Sequence, residues 1–170
     1  FEKTASLAAN AFELECDPLG RLWACGAYPR DSQYGGLFIS TDGGATWNLR
    51  CSGASIMRLA AAAFSDDQHG MAGGSNGTVI RTADSGRSWS PLDPAAVEYE
   101  SLVGSAVAGP RHFWFVGYSG RLFETKDLGD TWTIRRLIWG SLSAVDFHGE
   151  STGVVVGSQR AFYTRDAGES

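Results

Sequence analysis

Four aspartates recur in this 170-residue chain inside one pattern: hydroxyl, any residue, Asp, any residue, Gly, any residue, hydroxyl, Trp. The copies are Ser40, Asp42, Gly44, Thr46, Trp47; Thr82, Asp84, Gly86, Ser88, Trp89; Thr125, Asp127, Gly129, Thr131, Trp132; and Thr164, Asp166, Gly168, Ser170, the last stopping one residue short of its Trp. Carboxylates flanked by hydroxyls could serve as general acids and bases or as calcium ligands, provided that they converge on one point. Their spacing argues against convergence. Successive Asp positions lie 42, 43 and 39 residues apart, the period of one four-stranded propeller blade, which places each on its own repeat. The pattern then reads as a fastener for a hairpin turn. Asp accepts backbone N–H groups as in an Asx-turn, the hydroxyls add local bonds, Gly supplies positive φ, and Trp packs back over the turn.

Other reactive side chains are sparse. His69 and His112 occupy equivalent repeat positions, with His148 nearby in the last repeat; equivalent positions diverge around a ring, so neither a metal nor any other cofactor is expected. Cys16, Cys25 and Cys51 show no CxxC spacing. With 17–20 as a turn, Cys16 faces Arg21 and lies too far from Cys25 to bridge, and buried free thiols are expected. No nucleophile–base pair is placed by spacing, and the chain is expected not to be an enzyme.

The elements that must carry the boxes follow from the same anchors. The fold class expected is all-β: a β-propeller of four-stranded antiparallel blades, about four in this chain, spanning 11–51, 56–92, 101–136 and 141–170 plus 1–5. First strands are read at 11–16, 56–64, 101–108 and 141–147, second strands at 21–27, 70–74, 112–118 and 152–157, third strands at 36–41, 77–82, 121–125 and 160–164. Fourth strands fall at 46–51, 88–92 and 131–136. The first strands are rich in small residues, as close approach to an axis demands. The second strands are continuous apolar runs, suited to cover on both faces. The last blade lacks a fourth strand downstream, and the first residues are expected to supply it, with Phe1 in the place of the box Trp. Either the chain is a small ring, or it is a propeller segment whose ring is completed elsewhere, including between chains as a homo-oligomer.

The box resembles the Asp box of BNR-type repeats, found in sialidases, sortilin-like receptors and some glycoside hydrolases. The longer blade pattern, an apolar strand ending in Gly before each box, resembles the repeats of Ycf48-like photosystem II assembly factors over nearly the whole chain. That resemblance implies a non-catalytic protein-binding or scaffold module, an accessory or assembly subunit of a membrane-associated, photosynthetic complex on its extracytoplasmic side. The alternative it leaves is a glycan-binding or glycoside-hydrolase-related Asp-box propeller. A sialidase would need an arginine cluster opening with Arg-Ile-Pro, and no Arg-Ile-Pro occurs here.

Composition fits this reading. Twenty-two glycines serve many tight turns, and a net charge of −5 argues against a nucleic-acid binder. No apolar run is long enough to span a membrane as a helix. Loops after the second and fourth strands of each blade leave on one face of a propeller, the boxes on the other. Blade one carries an insertion at 27–36, read as such a loop. Arg and aromatic residues on that face are the types that anchor protein interfaces, so the candidate partner-binding residues are Tyr28, Arg30, Tyr34, Tyr99, Tyr118, Arg135, Arg136 and Trp139. The pair Arg135 and Arg136 is the counterpart of the arginine patch that the resemblance implies.

Overall fold

The computed structural model describes residues 10–28 and 31–169. Apolar stretches separated by Gly- and Asp-rich turns fold into consecutive antiparallel meanders. Blade one comprises β1 (Asn10–Cys16), β2 (Leu22–Tyr28), β3 (Asp31–Ser40) and β4 (Asn48–Met57). Blade two comprises β5 (Leu59–Phe64), β6 (Gly70–Gly74), β7 (Val79–Thr82) and the short β8 (Ser90–Pro91). Blade three comprises β9 (Leu102–Val107), β10 (Phe113–Gly117), β11 (Arg121–Thr125) and β12 (Thr133–Arg136). Blade four comprises β13 (Ala144–His148), β14 (Thr152–Gly157) and β15 (Arg160–Thr164), three strands among the described residues. The molecule is an all-β propeller fold in which each blade pairs its strands in chain order.

The core lies between blades, because apolar sheet faces are buried where one blade packs on the next. Trp23, Leu37 and Ile39 of blade one pack against Leu59, Ala62 and Ile80 of blade two. Met71 and Val79 of blade two meet Leu102, Phe113, Phe115 and Phe123 of blade three. Trp114, Val116 and Leu122 of blade three meet Val145 and Val155 of blade four. Small residues let the first strands pack side by side from blade to blade: Ala61, Ala62 and Ala63 of β5 are all buried.

Several expectations are corrected. The 27–36 insertion is not a free loop. It lengthens the β2–β3 hairpin, with Tyr28 opposite Asp31, and β4 runs on to pair Met57 with Tyr34. Blade two therefore starts at Leu59, the expected residues 56 and 57 belonging to β4. Cys16 faces Leu22 rather than Arg21, because the turn closes from the Asp17 N–H to the Arg21 carbonyl at 3.0 Å. Of the three free cysteines only Cys25 is buried; Cys51 is intermediate and Cys16 exposed. Double cover of the second strands holds for β2, β6 and β10, whereas Val154 and Val156 of β14 are exposed. The expected closing strand at 1–5 lies outside the described residues.

Candidate functional site

The four boxes share one hydrogen-bond network. In the first, Ser40 Oγ donates to Asp42 Oδ1 (2.8 Å) and accepts from the Gly44 N–H (2.8 Å), while the N–H and Oγ1 of Thr46 donate to Asp42 Oδ1 (2.8 Å) and Oδ2 (2.6 Å). Thr82, Asp84, Gly86 and Ser88 repeat it, as do Thr125, Asp127, Gly129 and Thr131. In the fourth, Thr164 Oγ1 donates to Asp166 Oδ1 (2.6 Å) and accepts from the Gly168 N–H (2.8 Å). Donors from Thr46 and Ser88 stabilise the carboxylates of Asp42 and Asp84 and lower each pKa to about 2. At Asp127 burial pulls the pKa up, and the bonds from Thr131 prevail to leave it lowered. Acceptors so fully engaged are turn locks.

The boxes also dock on the preceding blade. A Cβ on Gly86 would overlap the Trp23 ring, one on Gly129 would overlap Leu92 and Met71, and one on Gly168 would press on Trp114. Trp23, Met71 and Trp114 hold the same place in their second strands, facing Ile39, Arg81 and Glu124 of the third. An arginine accompanies each contact. Arg21 donates to the Ser85 carbonyl (3.0 Å), Arg81 to the Leu128 carbonyl (3.0 Å) and Asp130 (2.5 Å), and Arg135 to the Gly168 carbonyl. Trp89 is a fastener between blades as well as over its own turn, meeting Trp23 and Phe64 edge-on at 5.9 and 6.0 Å. Trp132 packs on Phe115 of its own blade at 6.0 Å and donates its indole N–H to the Gly129 carbonyl of its own turn (3.1 Å), and Trp47 is half-buried.

The opposite face holds a cleft of about 520 Å³ between blades two and three. Asp93 caps a short 3₁₀ turn, Pro94–Val97, by accepting from the Ala95 N–H. The chain then leaves through Glu98 and Tyr99, both at positive φ (52° and 56°), a backbone that non-glycine residues adopt only where the surroundings enforce it. Enforcement comes from the blade-two turn at Gly77, whose N–H donates to the Glu100 carbonyl (2.7 Å). Tyr99 is thereby left 66% exposed in the cleft lining, which also includes Tyr118, 67% exposed. Arg121 pairs with Glu98 and Ser119 Oγ donates to Glu100, while Arg58 stacks on Phe12 at 4.2 Å.

Of the expected partner-binding residues, the structure brings Tyr99 and Tyr118 together. Arg136 lies beside them, donating to the Ser119 carbonyl (2.5 Å) and stacking at 4.3 Å on Trp139, which is 89% exposed. Tyr34 is surface-exposed but does not line the cleft. Arg30 and the side chain of Tyr28 lie outside the described residues. Arg135 is corrected: neighbours on a strand point to opposite faces, and it turns to the fourth box and to the buried Glu124, which His112 and Lys126 also approach. His69 is paired with Asp66 at 2.8 Å.

Sequence reasoning passed over Arg58, Glu98, Glu100, Ser119 and Arg121. It also passed over Ser75, which lines the cleft within Gly73-Gly74-Ser75-Asn76-Gly77, a Gly-x-Ser-x-Gly spacing. Ser75 sits on a hairpin turn between β6 and β7 rather than on a strand-to-helix elbow. No histidine lines the cleft among the described residues.

Fold and cleft define a β-propeller module of docked repeats that presents an aromatic, charged groove on the face away from its boxes. Solved structures that share this fold include two described as YCF48. One, described as YCF48 bound to D1 peptide, is 23% identical over 66% of this chain and 38% of its own, with a TM-score of 0.56. The other, YCF48 from Cyanidioschyzon merolae, is 18% identical over 94% of this chain and 52% of its own, with a TM-score of 0.72. The chain thus spans about half, or less, of these structures, and the likeness is one of fold. No family model and no curated protein matches the chain.

Proposed function

We propose that the chain is a non-catalytic protein-binding module that captures an extended segment of a membrane-protein complex in the Tyr99–Tyr118 cleft, acting as an accessory or assembly subunit on the extracytoplasmic side. The observation that carries this reading is the pair of exposed tyrosines, Tyr99 and Tyr118, lining one groove whose charges are already placed. Large rings with few rotatable bonds bind at low entropic cost, and Arg and Tyr are enriched at interface hot spots. The neighbour described as bound to a D1 peptide supports a peptide ligand and motivates the photosynthetic assignment. Catalysis is no part of the proposal, since Glu98 is tied to Arg121 and Glu100 to Ser119.

The test is capture from detergent-solubilised membranes by immobilised chain, followed by a peptide array of the captured protein's extramembrane segments. Tyr99→Ala with Tyr118→Ala is expected to weaken array binding at least tenfold without lowering thermal stability. Lys126→Ala and Arg87→Ala on the box face are expected to leave binding unchanged. Equal loss from both pairs, or hydrolysis of a glycan by the wild type, overturns the proposal.

A further inference from the structure

The connections that lead into blades three and four share one position. Tyr99 and Trp139 each stand three residues before a buried leucine, Leu102 and Leu142, and each ring is turned out to solvent. Tyr99 has a complete four-stranded blade on either side and is still exposed, so the outward ring belongs to the position. Trp139 is the most exposed large apolar side chain among the described residues. Its backbone is firmly anchored. The Leu137 N–H donates to the Gly120 carbonyl (3.0 Å) and the Leu142 N–H to that of Gly117 (3.3 Å). Ile138 between them is buried, and Ser158 Oγ donates to the Ser141 carbonyl (3.0 Å). A ring already held outward loses little freedom when it meets a partner.

Charge on this corner has one sign. The segments 117–121, 136–143 and 157–160 around Trp139 contain Arg121, Arg136 and Arg160 and no Asp or Glu, although the chain as a whole carries −5. The cleft carboxylates Glu98 and Glu100 are taken up by Arg121 and Ser119. Arg136 and Arg160 make no ion pair among the described residues. The Arg136 guanidinium lies over the Trp139 ring, and a recess of about 250 Å³ beside the ring is lined by Ile138, Trp139, Ser158 and Arg160. The box side of the same two blades is acidic by contrast, with Asp127, Asp130, Asp166 and Glu169 against Lys126 and Arg165 in 126–131 and 165–169.

We propose that the Arg136–Trp139 corner docks on the surface of an anionic lipid bilayer, with the indole entering at headgroup depth and the guanidinium groups of Arg136 and Arg160 meeting lipid phosphates. Indole rings concentrate at membrane–water interfaces, basic side chains are drawn to anionic leaflets, and guanidinium matches phosphate through paired N–H donors. A protein partner would have to offer a socket shaped to this projecting ring, whereas the interfacial layer of a bilayer takes it up without one. The same surface repels the acidic box side, so the molecule settles with its boxes toward water. Contact through one indole and two arginines is reversible. None of the three lines the tyrosine cleft, so the docking does not depend on a peptide bound there.

The test is flotation of the full chain at low salt with vesicles of equal parts phosphatidylglycerol and phosphatidylcholine, beside vesicles of phosphatidylcholine alone. Flotation is expected with the first and not the second. Trp139→Ala is expected to lower the partition coefficient at least tenfold and Arg136→Ala about fivefold, with melting temperatures unchanged because both side chains are exposed. Lys126→Ala on the box side is expected to leave flotation unchanged. Depth is read with lipids brominated high on the acyl chain, which are expected to quench tryptophan emission in the wild type and not in Trp139→Phe, a variant that keeps an aromatic ring and still floats. Absence of flotation, equal flotation with neutral vesicles, equal loss in Lys126→Ala, or quenching that survives in Trp139→Phe overturns the proposal. Capture of a protein from detergent-solubilised membranes that requires Trp139, with no binding to vesicles, gives the corner to a protein partner and overturns it too.

Discussion

Replacing Gly86 by Ala tests whether a box is a joint between blades or merely a turn. Gly86 has φ +73°, and an added Cβ would lie 2.7 Å from Cζ2 of Trp23, closer still to Cη2, against a ring with no exposure. The backbone alone costs an L-residue about 1–2 kcal/mol in this conformation. Forcing extra volume into a packed core adds roughly 1–3 kcal/mol, for a total of about 2–5 kcal/mol out of the roughly 5–15 kcal/mol that holds a domain folded. Gly43 is the internal control. It stands in the first box at φ +71° with nothing within 4 Å of its Cβ position, so Gly43→Ala isolates the backbone term. Urea unfolding followed by circular dichroism is expected to place Gly86→Ala about 1–3 kcal/mol below Gly43→Ala. In a Trp23→Leu background, where the opposing ring is gone, that excess is expected to vanish. Equal costs for the two glycines, or an excess that persists without Trp23, refutes docking of the box on the preceding blade.

Acid should loosen the boxes. Asp42 and Asp84 have pKa values of about 2 when folded, below the roughly 3.9 of a free Asp; their stabilisation is complete above pH 4–5 and lost as pH falls toward 2. Melting temperatures should drop across that window, and less steeply in Asp84→Asn. Glu13 acts with the opposite sign. Burial raises its pKa to about 7 despite the bond it accepts from the Ala62 N–H, and Glu15 adds to the rise. The folded state therefore holds its proton more tightly, and stability falls as pH climbs from about 4.5 through 7. Glu13→Gln keeps the acceptor and should flatten this limb, gaining at most about 3 kcal/mol at pH 8; a variant no more stable than wild type at pH 8 rules the effect out.

How far the molecule could be read from its sequence depended on local chemistry. Box anchors placed β11 and β15 at the expected residues, because each strand runs directly into its box hydroxyl, and β6 and β14 fell where their apolar runs were read; the fourth strands β4, β8 and β12 start two residues later than expected, since the turn itself takes up those positions. The blade-one hairpin escaped because its extension is polar and Gly-rich, without the alternation that marks a half-buried strand. Trp23, Met71 and Trp114 were not legible as one set, since a thioether and two indoles share a role that only packing defines. The cleft residues Glu98 and Arg121 were hidden for a different reason: they lie 23 positions apart, Glu98 in the connection between blades two and three and Arg121 at the start of β11, and only folding brings them together. The opposite orientations of Arg135 and Arg136 were available from period two alone, once β12 was recognised as a strand.

The mixture of indole and thioether at these joints makes the three seams unlike in packing. Trp23 against Phe64 and Trp114 against Phe147 clamp the outer pairs of blades with planar rings. The middle seam sets Met71, an unbranched thioether able to change rotamer to follow a neighbour, among the rings of Phe113, Phe115 and Phe123. The cleft opens over this seam, with Ser75 of blade two and Tyr118 of blade three in its lining. A shift of one blade against the other would therefore change the distance from Ser75 to Tyr118, so groove width and the packing of that seam are one mechanical variable.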